Sequence, residues 1–285
     1  MKKSIFSGKV AAGIDWAIVV AVALSGIFHP DPALYYQTYA WIFAVIIIPL
    51  LSFGAIVYWY SERSGARIQG ERKKKAPIGR EIFGTTRAMF IVAGMAAWPT
   101  GLALLGYETG LVWTLEDMGL TWWQAVLQMW AGIIAIDAWT YWKHRFLHTK
   151  LFFPFHMHHH SFRDPTPFAG FAVGPFETIL TFWPLLLICM PEAKHFAPFY
   201  FTAIVSFVLL NLYLHCGVTF KSMEGTTKYL LLNSSAWHNI HHSDTNTNFG
   251  EVSYIWDKMC GTTREKKLEK KQKEKEERAR VRATV

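Results

Sequence analysis

Nine of the twelve histidines in this 285-residue chain fall in three short boxes. The first is His144-Arg-Phe-Leu-His148, the second His156-Met-His-His159-His160, and the third His238-Asn-Ile-His241-His242. Neutral imidazole is a common metal ligand, and iron, zinc and copper all suit it. On a helix, residues three and four apart share a face. His144 and His148 are so spaced, as are His156, His159 and His160, and His238, His241 and His242. Each box is therefore expected to present two or three imidazoles to one point. His158, two positions from His156, points elsewhere and is left out as a ligand. Eight converging imidazoles exceed the four that satisfy a tetrahedral zinc. Two metal ions account for the number.

Other residues join this set by position. Asp137, Tyr141, His144 and His148 form one stripe on the helix leading into the first box. An ionisable Asp inside a spanning segment is expensive and needs a partner; orienting a ligand histidine would supply one. Arg145, off the stripe, suits a headgroup contact or an ion pair. His215 ends an apolar segment on the side of the boxes and is a candidate ninth ligand. His29 and His195, at helix ends beside prolines or acids, read as interfacial surface residues.

These residues need a frame, and composition says which kind. Hydrophobic residues make up 52% and charged residues only 18%, against about a quarter charged in a soluble domain. So little polar surface points to an integral membrane protein. The net charge is +8, but apolar segments separate the basic blocks, so anionic lipid headgroups are the expected neighbours and no nucleic acid is. Cys189, Cys216 and Cys260 form no paired motif and read as reduced thiols. The N-terminal apolar run, lacking a clear cleavage site, reads as a retained first helix.

Apolar segments are expected at about 14–28, 39–60, 82–105, 122–142, 168–190 and 196–214, each near the roughly 20 residues that cross a bilayer. Lys2, Lys3 and Lys9, the 61–81 linker around Arg72-Lys73-Lys74-Lys75, the 143–167 histidine region and the tail are basic, whereas 29–38 and 106–121 carry no Lys or Arg. With six segments, the positive-inside rule puts both termini and every box on the cytoplasmic side; five or seven would break the alternation. The tail from Arg264 to Arg282, with Glu269–Lys273 and Glu274–Arg278 at the i,i+4 spacing that supports a solvated helix, reads as a polybasic contact to anionic lipid or as a solubilising or disordered end.

In this order and setting, the three boxes resemble the fatty acid hydroxylase/sterol desaturase superfamily of non-haem di-iron membrane oxygenases. The resemblance covers roughly 122–263. It extends to Pro165-Thr-Pro-Phe168 and to the closing pattern Asn248-Phe-Gly250, Trp256-Asp257 and Gly261-Thr262. Acyl desaturases place a much longer interval between the first two boxes. Pro165-Thr-Pro-Phe-Ala169 and His215-Cys-Gly-Val218 look most like sterol C5-desaturase-like members, with one departure: Gly174 stands before Pro175 where those members carry His.

The resemblance implies an all-α, multi-pass membrane protein of about four to six membrane segments, with a cytosolic histidine-rich helical cap holding a dimetal site. Residues 1–121 would be N-terminal membrane segments, 122–263 the family-like domain and 264–285 a charged tail. Two iron ions (Fe2+) would be held by His144, His148, His156, His159, His160, His238, His241 and His242, with His215 as the ninth ligand and Asp137 and Tyr141 behind them. O2 would be co-substrate, and a membrane lipid would be hydroxylated or desaturated. Trp139, Phe168, Phe171, Phe176 and Trp183 are candidate pocket residues. No dinucleotide, haem or iron–sulfur motif is apparent, so a separate ferredoxin, cytochrome or reductase is expected to supply electrons. The expected location is a bacterial inner membrane or the endoplasmic reticulum. A metal transporter or an inactive homologue is the competing reading; a transporter would need ionisable residues near the bilayer midplane.

Overall fold

A computed structural model describes residues 7–72 and 74–283; Lys2, Lys3 and Lys73 of the basic blocks lie outside them. Twelve α-helices run in order among the described residues: α1 Gly8–Ser25, α2 Pro32–Ser64, α3 Ile78–Leu104, α4 Leu115–Met118, α5 Trp122–Leu147, α6 Phe153–His156, α7 Pro175–Phe182, α8 Ala197–Leu214, α9 Lys221–Tyr229, α10 Ser235–Ser243, α11 Ile255–Cys260 and α12 Arg264–Ala283. The only strands among the described residues are two-residue pairings, Ala66–Arg67 with Val218–Thr219 and Leu111–Val112 with His195–Phe196.

Four helices are long and apolar enough to cross a membrane: α1 with its 3-10 extension to Phe28, α2, α3 and α8. Their outer faces expose Trp16, Val20, Trp41, Ile48, Phe53 and Ile56, an apolar area that a protein surrounded by water does not sustain. The chain is an all-α integral membrane protein. Pro49 and Pro99 lie inside α2 and α3, as membrane helices tolerate. Polar residues lower the hydropathy of α5, yet Trp123, Leu127, Trp130 and Ile134 form an exposed apolar stripe along it.

The segment expected at 168–190 is not one helix. It comprises a 3-10 turn, Pro167–Phe171, then α7, then a 3-10 helix, Trp183–Cys189. Gly174-Pro175 and Pro184 interrupt the backbone ladder. Eight α residues and seven 3-10 residues still advance roughly 26 Å. The start packs on α1, where Asp15 accepts from Phe176 N–H at 2.9 Å; at the end, the Ile188 carbonyl accepts from Gly110 N–H at 2.8 Å. This broken element therefore joins the two ends of the bundle.

Side-chain contacts fix those ends. At one, the Arg67 guanidinium donates to both Asp164 oxygens at 2.7 Å, Arg72 donates to the Pro165 carbonyl, and Thr85 to the Phe168 carbonyl at 2.6 Å. The 61–81 linker and the second histidine box thus share that end. At the other, His29 packs on Trp98, and a Cβ on Gly101 would lie 2.7 Å from its ring. His29 is buried, not an interfacial surface residue. It is ordered by the Asp31 carbonyl, 2.8 Å from Nδ1. His195 lies half-buried in its short pairing with Leu111. The three cysteines are free. In α12 the side chain of Arg278, expected to pair with Glu274, lies outside the described residues.

Candidate metal centre

All nine histidines of the expected ligand set come together, in two groups. His144, His148, His156, His160 and His241 form one; His159, His215, His238 and His242 form the other; within each, the ligand atoms lie within 4.8 Å of one another. His158 belongs to neither.

The division does not follow the boxes. Only the first box delivers both imidazoles to one group. In α10, His238 and His242 lie 40° apart around the helix and point into the four-histidine group, while His241, about 100° from His242, points into the other. The second box is not a continuous helix: α6 ends at His156, and His159–Ser161 is a separate 3-10 turn. That break turns His159 away from His156 and His160. The expectation of one point per box is corrected by these turns.

Hydrogen bonds set the ring protonation. His144 Nδ1 lies 2.7 Å from the Phe249 carbonyl, His241 Nδ1 2.6 Å from the Thr247 carbonyl, His215 Nδ1 2.9 Å from the Asn211 carbonyl, and His156 Nδ1 2.6 Å from the Glu177 carboxylate. A carbonyl or carboxylate only accepts, so each Nδ1 is the donor and each Nε2 carries a lone pair. The Nε2 atoms face one another within each group. Nε2 of His144 and His156 are 3.1 Å apart, His160 and His156 3.0 Å, His241 and His160 3.1 Å, and His238 and His215 3.0 Å. Two ligands about 2.1 Å from one ion and at right angles to each other are about 3.0 Å apart. The buried His242 Nε2 has no hydrogen-bond partner among the described residues. The Nε2 atoms converge at ligand spacing in both groups, and between His144 and His156, where both rings donate through Nδ1, no proton lies between them; this arrangement fits a metal ion in each group.

Burial favours the ligand-competent neutral form of six of these imidazoles. It holds His159, His160, His238 and His242 well below the ordinary histidine range, lowers His215 to about 4 and His241 to about 3. Neighbouring imidazoles push most of them in the same direction.

The carboxylates behind the ligands differ from those expected. Asp137 accepts from Ser253 N–H at 3.1 Å, Ser253 Oγ at 2.6 Å and Trp256 Nε1 at 3.1 Å; it touches no histidine among the described contacts. Tyr141 bonds to Thr262 Oγ1 at 2.9 Å, and Thr262 donates onward to Asp257 at 2.6 Å. Asp137 and Tyr141 thus clamp the 248–263 segment onto α5, and that segment brings the Phe249 carbonyl to His144. Their action on the ligands is indirect. The Arg145 guanidinium lies 5.3 Å from the Trp142 ring centre.

Glu177 and Glu251 were the missed carboxylates. Besides Glu177 on His156, Glu251 lies 3.5 Å from His144 Nδ1, beyond the Phe249 carbonyl that is the closer partner. Lys143, buried between them, donates to Glu251 at 2.9 Å and to Thr181 at 3.1 Å, with Glu177 3.9 Å away. Burial raises the Glu251 carboxyl, and the Lys143 ammonium opposes that rise. A usable signal was present: Glu177 is a charge inside the apolar run 168–190, where it requires a partner. A cavity adjoins this cluster between α7 and α8, with Phe171, Phe182, Phe207 and Leu214 on its apolar wall. Of the expected pocket aromatics only Phe171 lines it; Trp139 instead donates to the Leu180 carbonyl at 2.8 Å.

The family described as fatty acid hydroxylase matches residues 129–262. Among curated proteins, a Delta(7)-sterol 5(6)-desaturase of Gibberella zeae is 27% identical over 230 residues, covering 79% of this chain and 61% of the relative. Lathosterol oxidase of Rattus norvegicus is 28% identical over 196 residues, 66% of this chain and 62% of its own length. The human lathosterol oxidase is 26% identical over 220 residues, with 75% and 70% coverage. The chain thus spans about three-fifths of the length of the first two of these relatives. No solved structure matches.

Proposed function

We propose that this chain, which matches the fatty acid hydroxylase family over residues 129–262 and is similar to sterol desaturases, is a membrane-bound di-iron, O2-dependent lipid oxidoreductase. It hydroxylates or desaturates a C–H bond of a sterol, fatty acyl or related lipid. The observation that carries this reading is the pair of buried histidine groups whose ring nitrogens converge at ligand spacing. Of the metals that accept imidazole, iron is the one with O2 chemistry that fits the family's reaction.

The five and four histidines would each hold one iron, and the bound pair would supply the oxidant that removes hydrogen from an unactivated C–H bond. The chain's own residues set the conditions. The carbonyls of Phe249, Thr247 and Asn211 orient His144, His241 and His215, and the Glu177 carboxylate orients His156. Phe171, Phe182, Phe207 and Leu214 form an apolar wall beside the four-histidine group.

The linker, the histidine boxes and the start of α1 share one end of the bundle, where Asp15 meets Phe176 and Arg67 meets Asp164. This supports a cytoplasmic histidine end, by the positive-inside rule, in an endoplasmic reticulum or bacterial inner membrane. An external electron donor with an acidic surface would be steered to that basic end.

Lipid profiling of a host with and without the gene tests the reading: a lipid gaining a hydroxyl or a double bond only with the gene supports it, and identical profiles refute it. His159→Ala should lose metal and activity while still inserting in the membrane. His158→Ala should keep both.

A further inference from the structure

The two histidine groups differ in number of ligands, and they also differ in access. The cavity between α7 and α8 is walled by His159, His215 and His238, three members of the four-histidine group; no member of the five-histidine group lines it. We propose that the four-histidine position is the one that takes an exogenous ligand, a diatomic molecule or a small anion, and that the five-histidine position is closed to it. This rests on the metal reading above.

Ligand count, size and lining all lead to this division. A metal with few protein ligands keeps a coordination position open, which is how reactive sites differ from structural ones. Five converging imidazoles, most at the 3.0–3.1 Å spacing of right-angle neighbours, leave less room around their ion. The cavity is about 30 Å³, where a water needs roughly 10–15 Å³. It therefore suits a guest of two or three atoms, and a lipid chain enters only if its walls part.

Polar groups at its rim suit such a guest. Lys143 presents an ammonium held by Glu251 and Thr181. Asn211 Oδ1 is buried with no hydrogen-bond partner among the described residues and can accept from a protonated guest. Glu177 and Glu251 also face the cavity, so attraction for an anion must come from the metal, with Lys143 offsetting the carboxylates.

The test uses the full-length protein loaded with cobalt(II), after metal analysis, and azide as the probe. His238→Cys puts a thiolate on the four-histidine position and His148→Cys on the five-histidine position, each giving its own thiolate-to-cobalt absorption band. Azide should shift the His238→Cys band and leave the His148→Cys band unchanged. His215→Cys is the alternative reporter if the first variant does not fold. Val173→Phe, which fills the cavity while keeping all nine histidines, should retain two ions and bind azide at least ~10-fold more weakly. An azide shift of the His148→Cys band alone, or full azide affinity in Val173→Phe, would overturn the proposal while leaving the metal reading intact. Failure of the unsubstituted protein to bind two ions would overturn both.

Discussion

Asp257→Asn tests how the closing segment supports the metal centre. Asp257 is fully buried and accepts from Phe249 N–H at 2.9 Å, Gly250 N–H at 2.8 Å and Thr262 Oγ at 2.6 Å. An asparagine there has one acceptor oxygen and one donor NH2 group. With its oxygen toward Phe249, its NH2 faces the Gly250 N–H, and one bond is replaced by two opposed donors. The opposite orientation strands Phe249 N–H instead. A hydrogen bond to a charged group contributes about 1.5–3 kcal/mol, and an unsatisfied buried donor costs about 1–3 kcal/mol. The segment has little room to relax, because a Cβ on Gly250 would lie 2.2 Å from the Ser253 carbonyl. A net loss of about 2–4 kcal/mol is expected, or roughly 5–15 °C in melting temperature for a chain of this size. Because the Phe249 carbonyl orients His144, the five-histidine position should also bind metal more weakly. Thermal unfolding and metal titration of detergent-solubilised protein read both effects. Asp244→Asn is the control: its pair with Lys267 at 3.0 Å is about a third exposed and should cost less than about 1 kcal/mol. If Asp257→Asn melts and binds metal like the parent, the positioning argument is wrong.

Three further outcomes follow from the same geometry. Lys143→Met leaves Glu251 and Glu177 buried without their ammonium and should cost about 3–5 kcal/mol; adding Glu251→Gln should recover part of it, read in the same melting assay. Glu177→Gln removes the carboxylate from His156 Nδ1 and should weaken metal binding about 10–100-fold with little change in fold, measured by chelator competition. The metal-free protein should lose stability as pH falls from about 6.5, the unfolded histidine value, toward about 4 for His215 and about 3 for His241. Over that window the unfolded chain binds more protons than the folded one, so each such histidine contributes a slope of about 1.4 kcal/mol per pH unit. Melting curves at several pH values that show no acid loss would contradict it.

Local rules made the converging histidines of each box legible in the chain alone. Helical spacing predicts that His144 shares a face with His148, and hydropathy marks the long apolar helices, because both depend only on neighbours a turn or two away. The eight box histidines and the omission of His158 were readable at that level, and His215 followed from its place at the end of an apolar segment on the same side. How the ligands divide was not. His159 leaves its box because α6 stops at His156, and it joins His215, which lies 56 residues further along. The segment at 168–190 had the composition of a span, but Pro184 and Gly174-Pro175 broke it, and its role became joining the two ends of the bundle. The carboxylates behind the ligands were the least legible part. Asp137 lay on the right helical stripe, yet folding spent it on Ser253 and Trp256, while Glu177 reached His156 from another helix. Sequence spacing specifies which side chains share a face. Only contacts between residues distant in the chain decide what that face meets.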